Sequence, residues 1–145
     1  LDVVHHSQFI DELLQENKIE PKPWVDEDVT FHDPCYLGRH NNEYDAPRSV
    51  LQSVLRDGKI KEMEKAKSES FCCGAGGGNM WYEIKTGERI NQNRVKQAVN
   101  TKANTVAAAC NFCNIMLEDG VKTTQNEENI KVLDIAEMVS QSLSE

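Results

Sequence analysis

The chain has 145 residues, a formal net charge of −8 and 39% hydrophobic residues, enough for one domain with a buried core. Its acidic pI of about 5.0 argues against a nucleic-acid backbone or an anionic membrane surface as a partner. No stretch approaches the ~20 consecutive apolar residues of a transmembrane helix. The first residues lack the basic and apolar regions of a signal peptide, so we expect a cytoplasmic protein.

The first half of the chain predicts a helix, a strand, a second helix and a weaker strand. Apolar side chains at helical spacing predict a helix over residues 4–17, and a proline-containing linker follows it. The β-rich run 29–32 predicts a strand, which Pro34 ends because proline cannot donate to a ladder. A helix is predicted over 47–57, with proline in its first turn. Residues 60–63 are the weaker strand, supported mainly by their place between helices.

The second half of the chain continues this alternation. A helix is predicted over roughly 88–102, and the small apolar run 105–109 has the composition of a buried central strand. Cys113 falls in the first turn of the next helix. A last strand over 130–133 leads to a final helix that Asp134 caps. The alternation predicts an α/β fold, a Rossmann-like three-layer arrangement with a parallel sheet of about four strands and helices on both faces.

All five cysteines fall into three groups, each placed after a predicted strand. They form the pattern C-x36-C-C-x36-C-x-x-C, made by Cys35, Cys72, Cys73, Cys110 and Cys113. In parallel sheets, sites form outside the carboxyl ends of the strands. We therefore expect the five thiols to meet at one edge of the sheet. Soft thiolate ligands suit an iron–sulfur centre, zinc or Cu(I), and not magnesium or calcium.

The residues around these cysteines suit metal binding. Cys110 and Cys113 stand at a strand-to-helix turn, where backbone amides and the helix dipole favour thiolates, and both can bind one centre. The adjacent pair Cys72–Cys73 can share a centre only if the chain bends there. Gly74 and Gly76 permit that bend and let backbone N–H groups approach sulfur. We therefore expect both glycines to help bind the cofactor.

Three segments of the sequence resemble the motifs of the cysteine-rich CCG domain. They are Asp33 to Arg39 (DPCYLGR), Phe71 to Gly78 (FCCGAGGG) and Cys110 to Cys113 (CNFC). This family includes the B and D subunits of heterodisulfide reductase and iron–sulfur subunits of glycolate, lactate and anaerobic glycerol-3-phosphate oxidation. It also includes membrane-linked oxidoreductases that exchange electrons between electron-transfer flavoprotein and quinone. Residues 42–48 and 116–120 look most like this last, heterodisulfide-reductase-D-like branch. The resemblance spans about residues 29–139.

The resemblance implies a cofactor and a function. In heterodisulfide reductase the motif holds a noncubane [4Fe-4S] cluster, through cysteines that match Cys35, Cys72, Cys73, Cys110 and Cys113. We therefore expect an iron–sulfur oxidoreductase domain that exchanges electrons with a disulfide, a quinone or a flavoprotein. Its expected partners are other iron–sulfur or flavoprotein domains of a redox complex. Family proteins often carry two CCG domains and ferredoxin-type four-cysteine runs, whereas this sequence has one set of CCG motifs and no such run. We therefore expect residues 1–145 to be a single CCG domain. We expect it to form the C-terminal piece of a larger protein, inactive alone, whose parent could lie at the cytoplasmic face of a membrane.

Alternative interpretations remain open at this point. Some related motifs hold zinc, so a structural zinc domain without redox activity is the main alternative. The CxxC pair alone fits a thioredoxin-like redox pair, which would leave the other cysteines unexplained. Among the histidines, His40 is the candidate for a supporting role beside the ligands, whereas His32 is predicted to be a strand residue with a satisfied hydrogen bond. Trp81 and Tyr82 are expected to shield the cluster or, more commonly for such residues, to pack in the core.

Overall fold

Three short parallel strands form the centre of the protein, whose computed structural model describes residues 1–82 and 86–143. The strands are β1 (Val29–His32), β2 (Thr105–Ala108) and β3 (Lys131–Asp134), hydrogen-bonded in the order β1-β2-β3. Val29 lies beside Thr105, and Thr105 beside Lys131, so the strands begin at the same level. Every residue of β1 and β2 is buried, as expected for strands covered on both faces.

The predicted strand over 60–63 is reduced to one parallel bridge between Ile60 and Val29. Two backbone hydrogen bonds make this bridge: the Val29 N–H donates to Lys59 at 2.9 Å, and the Lys61 N–H donates to Val29 at 2.8 Å. The segment is rich in exposed charge and lies beside an outer strand, where short and charged pairing is common. The sheet thus has three strands and a bridge, close to the predicted four, in the spatial order Ile60, β1, β2, β3.

Five α-helices in the described part of the chain cover the two faces of the sheet. They are α1 (His6–Gln15), α2 (Asp45–Val54), α3 (Ile90–Asn100), α4 (Asn111–Thr123) and α5 (Ile135–Leu143). Helices α1, α2 and α5 pack together on one face, and α3 and α4 pack together on the other. The predicted three-layer α/β fold is therefore confirmed. Helix ends differ from the predicted ones by only a few residues, as helix ends commonly do.

The segments that carry the first three cysteines contain irregular helical turns. A π-helical segment covers Tyr36–His40, and 3-10 turns cover Lys67–Glu69 and Gly76–Trp81. Within the last turn, Gly77 and Gly78 have φ values of +66° and +76°, a conformation that glycine adopts without strain. Such turns reverse the chain within a few residues and keep the cysteine segments near the sheet.

Alternate side chains of the strands point into two separate cores. We call the side covered by α1, α2 and α5 the aliphatic face, and the side covered by α3 and α4 the cysteine face. Buried side chains of the aliphatic face include Val29, Phe31, Val50, Leu51, Val54, Ile135 and Met138. Those of the cysteine face include Cys73, Val95, Ala98, Cys113, Met116 and Leu117. Two of the five thiols are therefore part of a packed core.

The chain leaves β1 and β2 in opposite directions, and this divergence positions the site. The connection after β1 leads to α2 on the aliphatic face, whereas β2 leads directly to α4 on the cysteine face. In open α/β sheets, such a point opens a space outside the carboxyl ends of the strands. Cys35 follows β1 and Cys110 follows β2. The topology therefore brings cysteines from both connections to this space, as predicted.

Candidate metal centre

Four of the five cysteines form a connected row of thiols. The Cys113 thiol donates a hydrogen bond to Cys73 Sγ at 3.3 Å, although the two residues lie 40 positions apart. Further side-chain hydrogen bonds link Cys72 to Cys73 and Cys110 to Cys113. All the cysteines are free, with no disulfide among them. The fold thus gathers Cys72, Cys73, Cys113 and Cys110 before any metal is considered.

Cys35 borders two spaces that these four thiols also line. It lines a small cavity together with Cys72, Cys73 and Cys113. It also lines, with Cys110 and Cys113, an adjoining opening of about 770 Å³, which we call the crevice. Cys35 and Cys113 therefore border both spaces. All five predicted cysteines meet at the carboxyl edge of the sheet.

Asp33 ties the Cys35 segment to the loop that leads to Cys72. Its carboxylate accepts bonds from the Arg48 guanidinium at 2.7 and 3.0 Å and from the Lys67 N–H at 2.7 Å. Its backbone carbonyl accepts from the Ser70 hydroxyl at 3.2 Å. The Asp33 side chain is 3% exposed, and a buried carboxylate needs such partners because water does not reach it. Asp33 thus fixes the spacing between two cysteine segments without using sulfur.

The glycines after Cys72–Cys73 bend the chain and present N–H groups to sulfur, as predicted. The Gly74 N–H donates to Cys72 Sγ at 3.2 Å, and the Gly76 N–H bonds the same sulfur. The Ala75 N–H bonds Cys73. Gly74 has a φ of +95°, and a Cβ there would lie 3.3 Å from atoms of both Ile90 and Met116. Only glycine fits this position without strain.

The thiol row separates into favoured thiolates and favoured thiols. Hydrogen bonds from the Cys113 and Cys72 thiols hold the pKa of Cys73 well below its ordinary value, against the opposing effect of burial. A hydrogen bond with the Cys113 side chain, with help from backbone N–H groups at the start of α4, lowers the pKa of Cys110 to about 6. The hydrogen bonds within the row, together with burial, raise the pKa values of Cys113 and Cys72. Thiolates bind metal, so the lowered pKa values of Cys73 and Cys110 favour metal binding.

Two buried residues beside the thiols, His32 and Arg94, add polar chemistry to the cysteine face. A His32 ring nitrogen, Cys73 Sγ and Cys113 Sγ lie within 4.8 Å of one another. The Arg94 Nε–H donates to His32 Nδ1 at 2.9 Å, so the predicted hydrogen bond of His32 is confirmed. Sequence reasoning missed Arg94, although Arg94, Val95 and Ala98 follow one another at inward helical spacing. A charged residue in such a stripe is the signal that could have found it.

Other candidates lie outside the thiol row. His40 is exposed, and its ring packs against Tyr36 with centroids 4.9 Å apart, so it lines neither of the two spaces. Trp81 and Tyr82 are 80% and 70% exposed, so the expectation that they pack in the core is wrong. The glycine-rich turn before them contributes no buried residue to hold them. Arg39 lines the small cavity and donates to the Ser70 carbonyl.

The family model and the similar proteins all place the chain in one family. The family model described as a cysteine-rich domain, CCG, matches residues 29–118. The chain is 40% identical over 142 residues to a "Probable iron-sulfur-binding oxidoreductase FadF" of Bacillus subtilis, covering 98% of this chain and 20% of the relative. It is 41% identical over 145 residues to an "EtfAB:quinone oxidoreductase" of Syntrophomonas wolfei, covering 95% and 20%. It is 38% identical over 142 residues to the D subunit of the "Dihydromethanophenazine:CoB--CoM heterodisulfide reductase" of Methanosarcina barkeri, covering 98% and 34%.

The chain therefore spans only 20–34% of the length of these relatives. Another relative, from Chromohalobacter salexigens, is named a probable membrane-anchored ferredoxin. Within residues 1–82 and 86–143, each helix lacks the length and apolar content that crossing a membrane requires. The resemblance to electron-transfer-flavoprotein and heterodisulfide-reductase-D proteins is confirmed by the names and identities of these relatives. On the family match and these identities, the chain belongs to the CCG cysteine-rich domain family.

Proposed function

We propose that this chain binds one [4Fe-4S] cluster, of the noncubane type, as the redox-active domain of an iron–sulfur oxidoreductase. The observation that carries the proposal is the meeting of all five thiols at one sheet edge, with backbone N–H groups directed at three of the sulfurs. The names of the relatives, an iron–sulfur-binding oxidoreductase among them, support the same class of cofactor.

The donor set fits an iron–sulfur centre better than a single metal ion. One structural zinc ion takes four ligands, whereas five thiols border the small cavity and the adjoining crevice taken together. The N–H groups of Gly74, Ala75 and Gly76 supply hydrogen bonds to sulfur of the kind that tune iron–sulfur centres. The proposed ligands are Cys35, Cys72, Cys73, Cys110 and Cys113. When bound, such a cluster supplies electron transfer at the edge of the sheet.

The chain's own residues would hold and shelter the centre. Cys73 and Cys113 are buried, at 4% and 2% exposure, so one side of the site is closed to water. Asp33 keeps the segments at the spacing described above. Cys35 and Cys110 are only partly buried and border the crevice. An electron donor or acceptor would approach from this open side.

The proposed partners are other redox domains of a longer protein or complex, which pass electrons to or from a disulfide, a quinone or a flavoprotein. Relatives three to five times longer than this chain leave room for such domains, and their names include EtfAB, a quinone and a heterodisulfide. Tyr36 follows Cys35 and Phe112 precedes Cys113 in the sequence. They are 76% and 56% exposed, which suits contact with another domain. We expect the isolated chain to be inactive and the parent to act in the cytoplasm or at the cytoplasmic membrane face.

A single zinc ion is the second candidate function, with a structural and not a redox role. It is favoured by the close group of His32, Cys73 and Cys113, which offers three ligands within 4.8 Å. One of the neighbouring thiols would complete a tetrahedral site. In this arrangement the remaining two cysteines and the N–H groups around Cys72 would have no role in binding the zinc ion.

Anaerobic reconstitution tests the two candidates directly. The purified chain is incubated with ferrous iron and sulfide, and in parallel with zinc, and its metal and acid-labile sulfide are measured. The proposal expects about four irons and about four sulfides per chain, a brown colour and an electron paramagnetic resonance signal on reduction or oxidation. One tightly bound zinc with no uptake of sulfide would overturn it in favour of the zinc site.

A further inference from the structure

We infer that Arg94 and His32 act together as a buried cation–imidazole pair that donates a fixed hydrogen bond to Cys73 and raises the reduction potential of the bound centre. This inference rests on the proposed function. It assigns His32 as a hydrogen-bond donor to a ligand sulfur and excludes it from the ligand set.

Arg94 is completely buried among neutral partners. Its guanidinium donates to His32 Nδ1 at 2.9 Å, to the Lys65 carbonyl and Gln97 Oε1 at 2.8 Å each, and to the Ser70 hydroxyl at 3.2 Å. Four partners hold the group in one orientation. All four partners are uncharged when His32 is neutral. They satisfy the hydrogen bonds of the Arg94 guanidinium but do not balance its positive charge.

Carboxylates and the sulfurs of the site both act on Arg94. Among the described residues Asp33 acts on it most strongly and Glu62 also acts, and both carboxylates pair with Arg48. Burial lowers the pKa of Arg94 to about 10, opposed chiefly by Asp33 and also by the neighbouring cysteines and Glu62, and an arginine side chain is positive at neutral pH. A buried cation is costly unless an anion compensates it. Thiolates, or an anionic cluster bound to them, are that anion.

The bond from Arg94 fixes which nitrogen of His32 carries hydrogen. Arginine has donors only, so Nδ1 must accept, and the single hydrogen of a neutral imidazole then resides on Nε2. His32 is 1% exposed, and one of its ring nitrogens lies within 4.8 Å of the Cys73 sulfur. Nε2 is therefore the donor to the Cys73 sulfur. Binding of a metal at Nε2 would require this hydrogen to be displaced.

Both features act on the potential in the same direction. Reduction adds negative charge to a cluster, and a hydrogen bond to a ligand sulfur stabilises that charge. A positive guanidinium one imidazole away stabilises it further, because the field is weakly screened in a buried site. Loss of either residue's contribution should make the centre harder to reduce.

Redox titration of the reconstituted protein tests the inference. In His32→Asn, the amide oxygen takes the place of Nδ1 and still accepts from Arg94, but the side chain no longer reaches Cys73. We expect an unchanged iron content and a more negative midpoint potential. At the wild-type midpoint the reduced-to-oxidised ratio should fall about tenfold, the equivalent of one hydrogen bond to a charged group.

Two further variants complete the experiment. Arg94→Lys keeps the positive charge but loses the planar Nε–H donor. It should therefore shift the midpoint potential in the same direction as His32→Asn, but by less. If His32→Asn does not fold, Arg94→Lys alone tests the inference. Thr30→Val is the matched control. Thr30 lies on the same strand and the same face as His32, and its buried hydroxyl has no partner among the described residues, so the potential should not move.

Each outcome is decisive. Loss of iron from His32→Asn would show that His32 is a ligand and overturn the inference. Full iron content with an unchanged potential in both variants would show that the pair is only structural, and would also overturn it while the proposed function stands. Failure of the wild-type chain to take up iron and sulfide would instead overturn the proposed function, and this inference with it.

Discussion

The aliphatic face and the cysteine face of the sheet are equally well buried but chemically opposite. Phe31 and His32 are neighbours on β1, with 0% and 1% exposure. Phe31 points into a core of hydrocarbon side chains, whereas His32 meets thiols and a guanidinium. Because side chains alternate along a strand, one short strand serves both cores. The difference suggests that one face supplies stability and the other supplies a polar, metal-binding interior, so that each can be damaged separately.

The largest effect should come from Cys113→Ser on the cysteine face. Cys113 is buried and contacts both Cys73 and Cys110, and a serine oxygen is a poor replacement for thiolate at an iron–sulfur centre. We expect nearly all iron and sulfide to be lost after reconstitution, while the circular dichroism spectrum stays that of the wild type. A full complement of iron in this variant would remove Cys113 from the proposed ligands.

Leu51→Ala on the aliphatic face should have the opposite result, a loss of stability without a loss of iron. Leu51 has 0% exposure, and truncating such a side chain lowers the free energy of unfolding by about 2–5 kcal/mol. Iron per folded chain should not change. Denaturant unfolding measures the stability, and iron analysis measures the metal content. The control is Gln52→Ala at the exposed neighbouring position, whose free energy of unfolding should stay within about 0.5 kcal/mol of wild type. Loss of iron in folded Leu51→Ala would mean that the faces are coupled.

Local patterns predicted the elements and the meeting of the cysteines, because both follow from periodicity and from the geometry of parallel sheets. The run 105–109 has the composition expected of a buried strand, and Cys110 was therefore expected at its carboxyl end, as the structure shows. The segment 60–63 was harder, since charged residues at a sheet edge leave its pairing to tertiary context. Arg94 was missed because its burial depends on partners far away in sequence, His32 and Lys65.

A smaller effect is expected from Gly74→Ala at the border of the cysteine face. A side chain there must adopt a φ of +95° and press on Ile90 and Met116, which costs about 1–3 kcal/mol. Gly76→Ala is the matched control, since a Cβ at Gly76 meets no atom within 4 Å. Unfolding free energies and iron contents of the two variants should differ, with only Gly74→Ala impaired. Equal values would mean that the bend after Cys73 tolerates any residue.

The smallest effect concerns His5, which joins helix α1 of the aliphatic face to the strand end beside Cys110. Its Nε2 bonds the Ala109 carbonyl at 3.2 Å, and its Nδ1 accepts from the Ser7 N–H at 3.2 Å. Burial lowers the pKa of His5, and the neighbouring His6 lowers it further. The unfolded chain therefore binds a proton more readily than the folded one as the pH falls below about 6.5.

Stability contributed by neutral His5 is thus present above about pH 6.5 and is lost as the pH falls through the lower folded-state pKa. Wild type should lose more unfolding free energy between about pH 7.5 and about pH 5.5 than His5→Asn, because asparagine can keep the helix cap without titrating. Denaturant unfolding at a series of pH values measures the two slopes. Equal slopes would show that His5 does not link the two faces in this way.

Asp33 has a consequence for how the domain survives damage. Its bonds to Arg48, Lys67 and Ser70 contain no sulfur, so oxidation of the thiols or loss of the inorganic core leaves them intact. Under the proposed function, a domain braced in this manner would keep its shape after losing its metal to air. Repair would then require iron, sulfide and reductant but no refolding, so Asp33 would make an oxygen-sensitive site renewable.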